Sequence, residues 1–313
     1  MHQYLRSIGF SNCIRQQDVD RLLDMFEKQF FASARRYADK NDEMHVEIRA
    51  TVDGNMGICI VGTMDDDGNF KRQAYYPYLI SDMVSSMVPV QILQRMDGNL
   101  YSGILDDTRV GVTMIFMLIN PFDNLMRNEN VSNPEKAATL FSALSVRGRV
   151  LLPSRCMLKN GTQEENMLPQ ITNNQRIPEI PQDIDDGEND ENAGMDIIQA
   201  AREGDPAAME QIAYAEVSTM AQLNRRLKSE DVYSVVETVF MPHGAECDLY
   251  LIIGEIRGDE CVVNPFTGEE IYILTVDVNG IVIRVAINAA DLEGAPDIGR
   301  RFKGVVWLQG SVE

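Results

Sequence analysis

The sequence lacks the features that mark several common classes of protein. It has only three histidines, and its five cysteines lie far apart without a Cys-x-x-Cys pair, so neither a zinc knuckle nor a disulfide framework is expected. It contains no G-x-G-x-x-G, no G-x-x-x-x-G-K-[ST] and no G-x-S-x-G motif, which argues against dinucleotide binding, a P-loop and a serine-hydrolase elbow. We therefore expect no cofactor, and no catalytic or metal-ligating residue is assigned.

The chain also lacks an excess of positive charge and a long hydrophobic run. Its 28 Lys and Arg against 48 Asp and Glu give a formal net charge of −20, which repels nucleic acid and anionic lipid. The most apolar run, residues 110–119, is about half the length that a membrane-spanning helix needs. The N-terminus has no signal-peptide pattern. The sequence predicts a cytoplasmic protein with reduced cysteines that does not bind membranes and that would need a local basic patch to bind nucleic acid.

The first half of the chain reads as an α+β domain over residues 1–153. Val19, Leu22 and Phe26 have the spacing of one face of an amphipathic helix. Residues 44–52 then alternate between apolar and polar side chains, as in a strand of a half-buried antiparallel sheet. Further strands are predicted at 56–61, 70–76, 84–93, 100–105, 110–118 and 140–152.

The composition changes after this domain. Asn, Gln, Pro and acidic residues dominate 154–194, so this stretch is predicted to be an acidic flexible linker. Residues 195–228 are predicted to form a short helical adaptor, in which Asp205 caps a helix that begins at Pro206.

The last part, residues 229–313, is predicted to be a small all-β domain. Asn279-Gly280 is a strong hairpin signal, and it fixes the register of the flanking strands. The expected pairs are all apolar: Val278 with Ile281, Val276 with Ile283, Leu274 with Val285, and Tyr272 with Ile287. Further strands at 232–240, 248–256, 260–263 and 302–309, with a turn at 257–259, favour a small β-barrel or sandwich. The overall prediction is an α+β fold: an N-terminal helix plus a mainly antiparallel sheet, then a helical segment and this C-terminal unit.

One polar group has the composition of a catalytic site. His243, Cys247 and Asp248 lie within six residues, and a thiol, an imidazole and a carboxylate can form a nucleophile with its base. The spacing matches no known catalytic pattern, because the partners of such triads are normally distant in sequence. A loop beside a half-buried thiol is the alternative interpretation.

A second group combines basic and aromatic residues on the predicted barrel. Small barrels of the OB type bind single strands through basic grooves and stacked aromatic rings. The alternative is that the aromatic rings belong to the core and that the arginines pair with the protein's own carboxylates. The residues in question are Arg284, Arg300, Arg301, Phe302, Lys303 and Trp307.

The chain resembles a known family along its whole length. The similarity is carried by the opening MHQYLRSIGFSN, the middle string AREGDPAAMEQI, and the closing strings NPFTGEEIY, NGIVIRVAIN and GRRFKGVVWLQG. These strings are similar to an uncharacterised family from anaerobic Gram-positive bacteria, described only as a domain of unknown function. The resemblance implies a cytoplasmic bacterial protein and assigns no activity, cofactor or catalytic residue.

The sequence leaves three functions open. The first is a non-catalytic binding or scaffolding protein, whose partner is a protein or a small molecule. The second is an enzyme with a site between the domains, near His243 and Cys247. The third is binding of single-stranded nucleic acid by the C-terminal barrel, which the net charge disfavours.

Overall fold

The computed structural model describes residues 2–39, 42–95, 100–123, 138–153 and 236–313. The predicted acidic linker and helical adaptor lie outside the described residues, as do the first residues of the predicted C-terminal domain, so the division of the chain at these places stays a prediction. No helix in the described part is both long and apolar enough to cross a membrane.

An N-terminal layer combines three helical segments, the last of them the short 3₁₀ turn Phe31–Ser33, with a four-stranded antiparallel sheet. A 3₁₀ helix, His2–Ile8, precedes the helix α1, Gln16–Phe30. The buried residues of α1 include Val19, Leu22 and Phe26, which confirms the predicted amphipathic face. The sheet has the order β1-β2-β3-β4, with β1 (Arg35–Ala38), β2 (Met44–Asp53), β3 (Met56–Met64) and β4 (Phe70–Leu79).

The other ten strands form one sheet. Its members are β5 (Gln91–Gln94), β6 (Tyr101–Asp107), β7 (Val112–Leu118), β8 (Thr139–Leu151), β9 (Val239–Pro242), β10 (Leu249–Val263), β11 (Glu270–Val278), β12 (Ile281–Asn288), β13 (Leu292–Glu293) and β14 (Arg301–Val312). The order is β13-β8-β12-β11-β10-β14-β7-β6-β5, and β9 pairs with β10. The strand predicted at 84–93 does not form over that length, and the only strand there is the four-residue β5, Gln91–Gln94.

An additional pairing between β8 and β14 closes part of this sheet into a five-stranded barrel, β8-β12-β11-β10-β14. Alternate side chains of these strands fill the interior, among them Phe141, Tyr250, Leu274 and Phe302. The hairpin between β11 and β12 has the predicted register, and Asn279 and Gly280 both have positive φ.

The predicted fold class is wrong in two respects. The described chain is mainly β with a few helical segments rather than α+β, and no helical segment in the middle of the chain is shown. The barrel is also not made by the C-terminal stretch alone. Its fifth strand is β8, which lies far earlier in the chain and pairs with β12 in parallel and with β14 antiparallel. Such long-range pairing has no local signal in the sequence.

The turn predicted at 257–259 is also wrong. β10 is one continuous strand of 15 residues, and its register with β11 shifts between Ile256 and Gly258. The glycine therefore marks a β-bulge rather than a chain reversal. The first half of β10 pairs with β14 and the second half with β11, so the bulge lies at a corner of the barrel.

The outer face of the barrel packs against the N-terminal layer. The contact between them forms a second hydrophobic core, outside the barrel. Trp307 projects from β14 into this core, where the centre of its ring lies 5.1 Å from that of Tyr4. Ile271, Ile273 and Ala286 belong to the same cluster. One wall of the barrel is thereby covered by the N-terminal residues.

Candidate functional site

The predicted thiol–imidazole group is not assembled as a catalytic site. His243 and Cys247 are exposed in the connection between β9 and β10, whereas Asp248 is buried. Among the contacts of the described residues, no hydrogen bond joins the imidazole of His243 to Cys247 or Asp248. The Asp248 carboxylate instead accepts from Trp307 Nε1 at 3.0 Å and from Arg95 Nη1 at 2.8 Å.

Asp248 therefore has a structural role between strands. Removing its carboxylate would leave the buried indole N–H of Trp307 without this acceptor, which costs about 1–3 kcal/mol. Burial, followed by the charges of Glu246 and Asp248, raises the pKa of the nearby Tyr4 hydroxyl to about 12. This environment disfavours further negative charge and keeps Tyr4 neutral.

The predicted basic and aromatic grouping is divided among several places. Phe302 is fully buried inside the barrel, and Trp307 lies in the other core. Arg284, whose side chain is largely buried, pairs with Asp82 and Glu260, and Arg300 lies 2.8 Å from Asp297. These residues do not form one basic groove with exposed rings.

Arg301 is a buried structural residue, only 2 % exposed. Its Nε donates to the carbonyl of Leu152 at 2.8 Å, and Nη1 donates to the carbonyl of Val236. Burial lowers its pKa, and the charge of Glu237 opposes that effect. The guanidinium thus joins the backbone just after β8 to the backbone before β9.

In the part of the chain that the structure describes, the strongest candidate for a binding site is a pocket of about 330 Å³ on the outer surface of the barrel, which we call the barrel-wall pocket. It lies where β8, β14 and β13 meet. Its lining residues are Val146, Arg147, Gly148, Arg149, Leu251, Glu293, Lys303, Gly304 and Val305.

The local strand geometry explains why the pocket forms here. The register of β8 with β14 shifts between Gly304 and Val306, so two residues of β8 lie opposite one residue of β14. The Ser145 hydroxyl lies within hydrogen-bond distance of two carbonyl oxygens at this bulge, 3.0 Å from that of Arg147 and 2.9 Å from that of Val305. The bulge leaves the arginine side chains of β8 on the outer surface.

Two glycines are required under the pocket. Gly148 and Gly304 lie opposite each other, and a Cβ on either would come within 2.4 Å or 2.6 Å, respectively, of the Phe302 ring. Both distances are far shorter than van der Waals contact, so a larger residue would displace this ring of the barrel core.

Three cations and one carboxylate line the barrel-wall pocket. Lys303 lies directly opposite Arg149 in the strand register of β8 and β14. Glu293, on the other neighbour of β8, pairs with the two arginines: its carboxylate lies 2.6 Å from Arg149 Nη2 and 3.4 Å from Arg147 Nη2. The Arg149 guanidinium holds the pKa of Glu293 below its usual range.

Sequence reasoning singled out only Lys303 of these four charged residues. The signal that could have found the others is the string Arg147-Gly148-Arg149, because residues i and i+2 of a strand lie on the same face. Glu293 had no such signal, since its position depends on the parallel pairing of β13 with β8.

A second charged group lies on the four-stranded sheet. Glu47 is fully buried, and its Oε1 accepts from Arg49 Nε at 2.8 Å and from Arg35 Nη1 at 3.4 Å. Arg35 also contacts Asp123 at 2.5 Å. The Oε2 atom of Glu47 has no hydrogen-bond partner in the described structure. Burial lowers the pKa of Arg49, but the charge of Glu47 and the neighbouring Cys59 and Tyr76 outweigh this effect. The pKa of Arg49 is therefore raised above its usual value.

A third group could hold a cation. One ligand atom each from Asp39, Glu43 and His45 lie within 4.8 Å of one another at the connection between β1 and β2. The Asp39 carboxylate already accepts from the backbone N–H of Glu43 at 2.9 Å and lies 3.6 Å from His45 Nε2. These contacts account for the geometry as part of a hairpin connection.

Comparison with known proteins places the chain in a family without assigning it a function. No curated protein and no solved structure matches it. A family model described as "Domain of unknown function, E. rectale Gene description (DUF3881)" matches residues 5–310. Since the match covers nearly the whole chain, the protein belongs to this family of uncharacterised proteins.

Proposed function

We propose that this protein is a non-catalytic binding protein and that its barrel-wall pocket holds a small anionic ligand. The observation that carries the proposal is that Arg147 and Arg149 share a single carboxylate, that of Glu293, and that Lys303 lies in the same pocket lining. Arginine and lysine bind carboxylates and phosphates through charge-assisted hydrogen bonds.

The electrostatic setting makes this arrangement unusual within the molecule. The whole chain carries a net charge of −20, so an anion is repelled from most of the surface. The pocket lining, in contrast, has three cations and one carboxylate.

The size and composition of the pocket favour a compact ligand. Its volume lies at the lower end of the range of about 300–1,000 Å³ for small-molecule sites. The residues described in its lining include no aromatic side chain, so it offers no platform on which the bases of a nucleic acid strand could stack.

A cytoplasmic location is part of the proposal. It is supported by the cysteines of the described residues, Cys13, Cys59, Cys247 and Cys261, all of which are free thiols. Cys247 and Cys261 are exposed, and exposed thiols persist in a reducing compartment.

Thermal unfolding in the presence of citrate tests the proposal. Citrate at about ten times its Kd should raise the Tm of the wild-type protein by roughly 3 °C, relative to NaCl of equal ionic strength. The double variant Arg147→Gln/Arg149→Gln should lose this increase, because it removes the two guanidinium groups.

The matched control is Arg257→Gln. Arg257 is an exposed arginine paired with Glu255 at 2.8 Å, and it does not line the pocket. The Arg257→Gln variant should show the same increase in Tm with citrate as the wild-type protein. An equal increase in all three proteins would show that citrate acts elsewhere, and the proposal would fail.

A further inference from the structure

The carboxylate of Glu293 occupies the position where an anionic ligand would be bound. Two nitrogen atoms of Arg149 contact the same Glu293 oxygen, Nε at 2.7 Å and Nη2 at 2.6 Å. The other oxygen faces Arg147 Nη2 at 3.4 Å. A ligand carboxylate or phosphate would require the same fork of N–H groups, which bind such anions in pairs.

Glu293 is placed so that it could leave this position at little cost. Its side chain is 47 % exposed, and those of Arg149 and Arg147 are 60 % and 82 % exposed. Ion pairs this exposed contribute little to stability, because water solvates both partners once they separate. The strand that carries Glu293, β13, has only two residues and lies at the edge of the sheet.

The part of the pocket next to the charged groups is apolar. Val146, Leu251 and Val305 line it and are half-buried, so each still exposes apolar surface. A ligand with an anionic group and a small apolar body would cover this surface, whereas an inorganic ion would leave it in water.

We infer, on the basis of the proposed function, that Glu293 is a built-in competitor for the anion site, and that the natural ligand is a small amphipathic acid whose carboxylate or phosphate displaces the Glu293 side chain from Arg149. The apolar part of the ligand then lies against Leu251 and Val305. Glu293 keeps the guanidinium groups neutralised in the absence of ligand and lowers the affinity for anions that gain nothing from the apolar surface.

Isothermal titration calorimetry with two probes tests the inference. Inorganic phosphate and phenyl phosphate present similar anionic groups, and only the second has an apolar body. The wild-type protein should bind phenyl phosphate more tightly than inorganic phosphate. Glu293→Gln should bind both probes about two- to fivefold more tightly, because the competing charge is gone.

The matched control is Glu260→Gln. Glu260 is an exposed carboxylate, 57 % accessible, and its partner is Arg284 at 3.0 Å, outside the pocket. Its substitution should leave both affinities unchanged. An equal gain in affinity for Glu260→Gln and Glu293→Gln would show that the effect comes from net charge alone, and it would overturn the role of Glu293 as a competitor.

The remaining outcomes separate this inference from the proposed function. Binding to the wild-type protein together with equal or weaker binding to Glu293→Gln would overturn the inference and leave the anion pocket standing. Equal affinities of the wild-type protein for the two phosphates would overturn the inference that the natural ligand is amphipathic. Failure of both proteins to bind either probe would overturn the proposed function and the inference together.

Discussion

Two carboxylates of this protein lie between a pair of arginines at almost the same distances. Glu47 is 2.8 Å from Arg49 and 3.4 Å from Arg35, whereas Glu293 is 2.6 Å from Arg149 and 3.4 Å from Arg147. The contacts are alike, but the Glu47 side chain is fully buried and that of Glu293 is 47 % exposed. Burial therefore decides what each group does.

The difference follows from the solvation of charge. A buried ion pair has lost its water, and removing one partner leaves the other charge without compensation. An exposed pair exchanges its contacts for water at little cost. The Glu47 group is therefore a fixed part of the four-stranded sheet, whereas the Glu293 group suits the binding and release of an anion.

The largest effect is expected from Glu47→Gln. The substitution keeps the shape of the side chain but removes the charge that compensates Arg35 and Arg49. We expect a loss of about 3 kcal/mol in the free energy of unfolding. Asp123 and the carbonyl of Ile119, which accept from these arginines, limit the loss. Urea denaturation measures it, and a loss below about 0.5 kcal/mol would show that burial does not distinguish the two groups.

An intermediate effect is expected from Asp107→Asn. Asp107 is 4 % exposed and accepts from Arg109 at 2.6 Å and from Ser86 at 2.8 Å, but Arg109 itself is 39 % exposed. Losing hydrogen bonds to a charged group should cost about 2 kcal/mol at pH 7.

The pH dependence of this effect has a definite sign. The hydrogen bonds from Arg109 hold the pKa of Asp107 well below its usual range. A carboxylate with a depressed pKa stabilises the folded state above its unfolded pKa, about 3.9, and loses this contribution as the pH falls further. The stability difference between wild type and Asp107→Asn should therefore be constant from pH 5 to 7 and shrink below about pH 4. A difference that grows on acidification would contradict this assignment.

The smallest effect is expected from Glu293→Gln in the absence of ligand. Its midpoint of urea unfolding should equal that of the wild-type protein, both in 0.1 M and in 1 M NaCl, because the exposed pair contributes little and is screened by salt. A decrease as large as that of Glu47→Gln would show that Glu293 is structural, and its role as a competitor would then be untenable.

Parts of the fold could be predicted because their determinants are local. The β11–β12 hairpin was predicted residue by residue, since Asn279-Gly280 restricts the turn and the alternating side chains restrict the register. The closure of the barrel could not be predicted in this way. The pairing of β8 with β14 joins residues more than a hundred positions apart, and no turn between them fixes the register.

The site was harder to predict than the fold for a related reason. The sequence left open whether Arg301 and Trp307 belong to a binding surface or to the folded interior, and the structure buries both. Arg147 and Arg149 belong to no known motif, and only the neighbouring β13 and β14 give them a shared carboxylate and a third cation. The properties of these side chains depend on their neighbours in space.

The clamp formed by Arg301 also bears on how the strands come together during folding. One guanidinium binds the carbonyls of Leu152 and Val236, which lie 149 and 65 positions before it in the sequence. Contacts between residues so far apart in sequence form slowly, because long loops must close before the contact is gained. The clamp can therefore form only once β8 and β14 have come together.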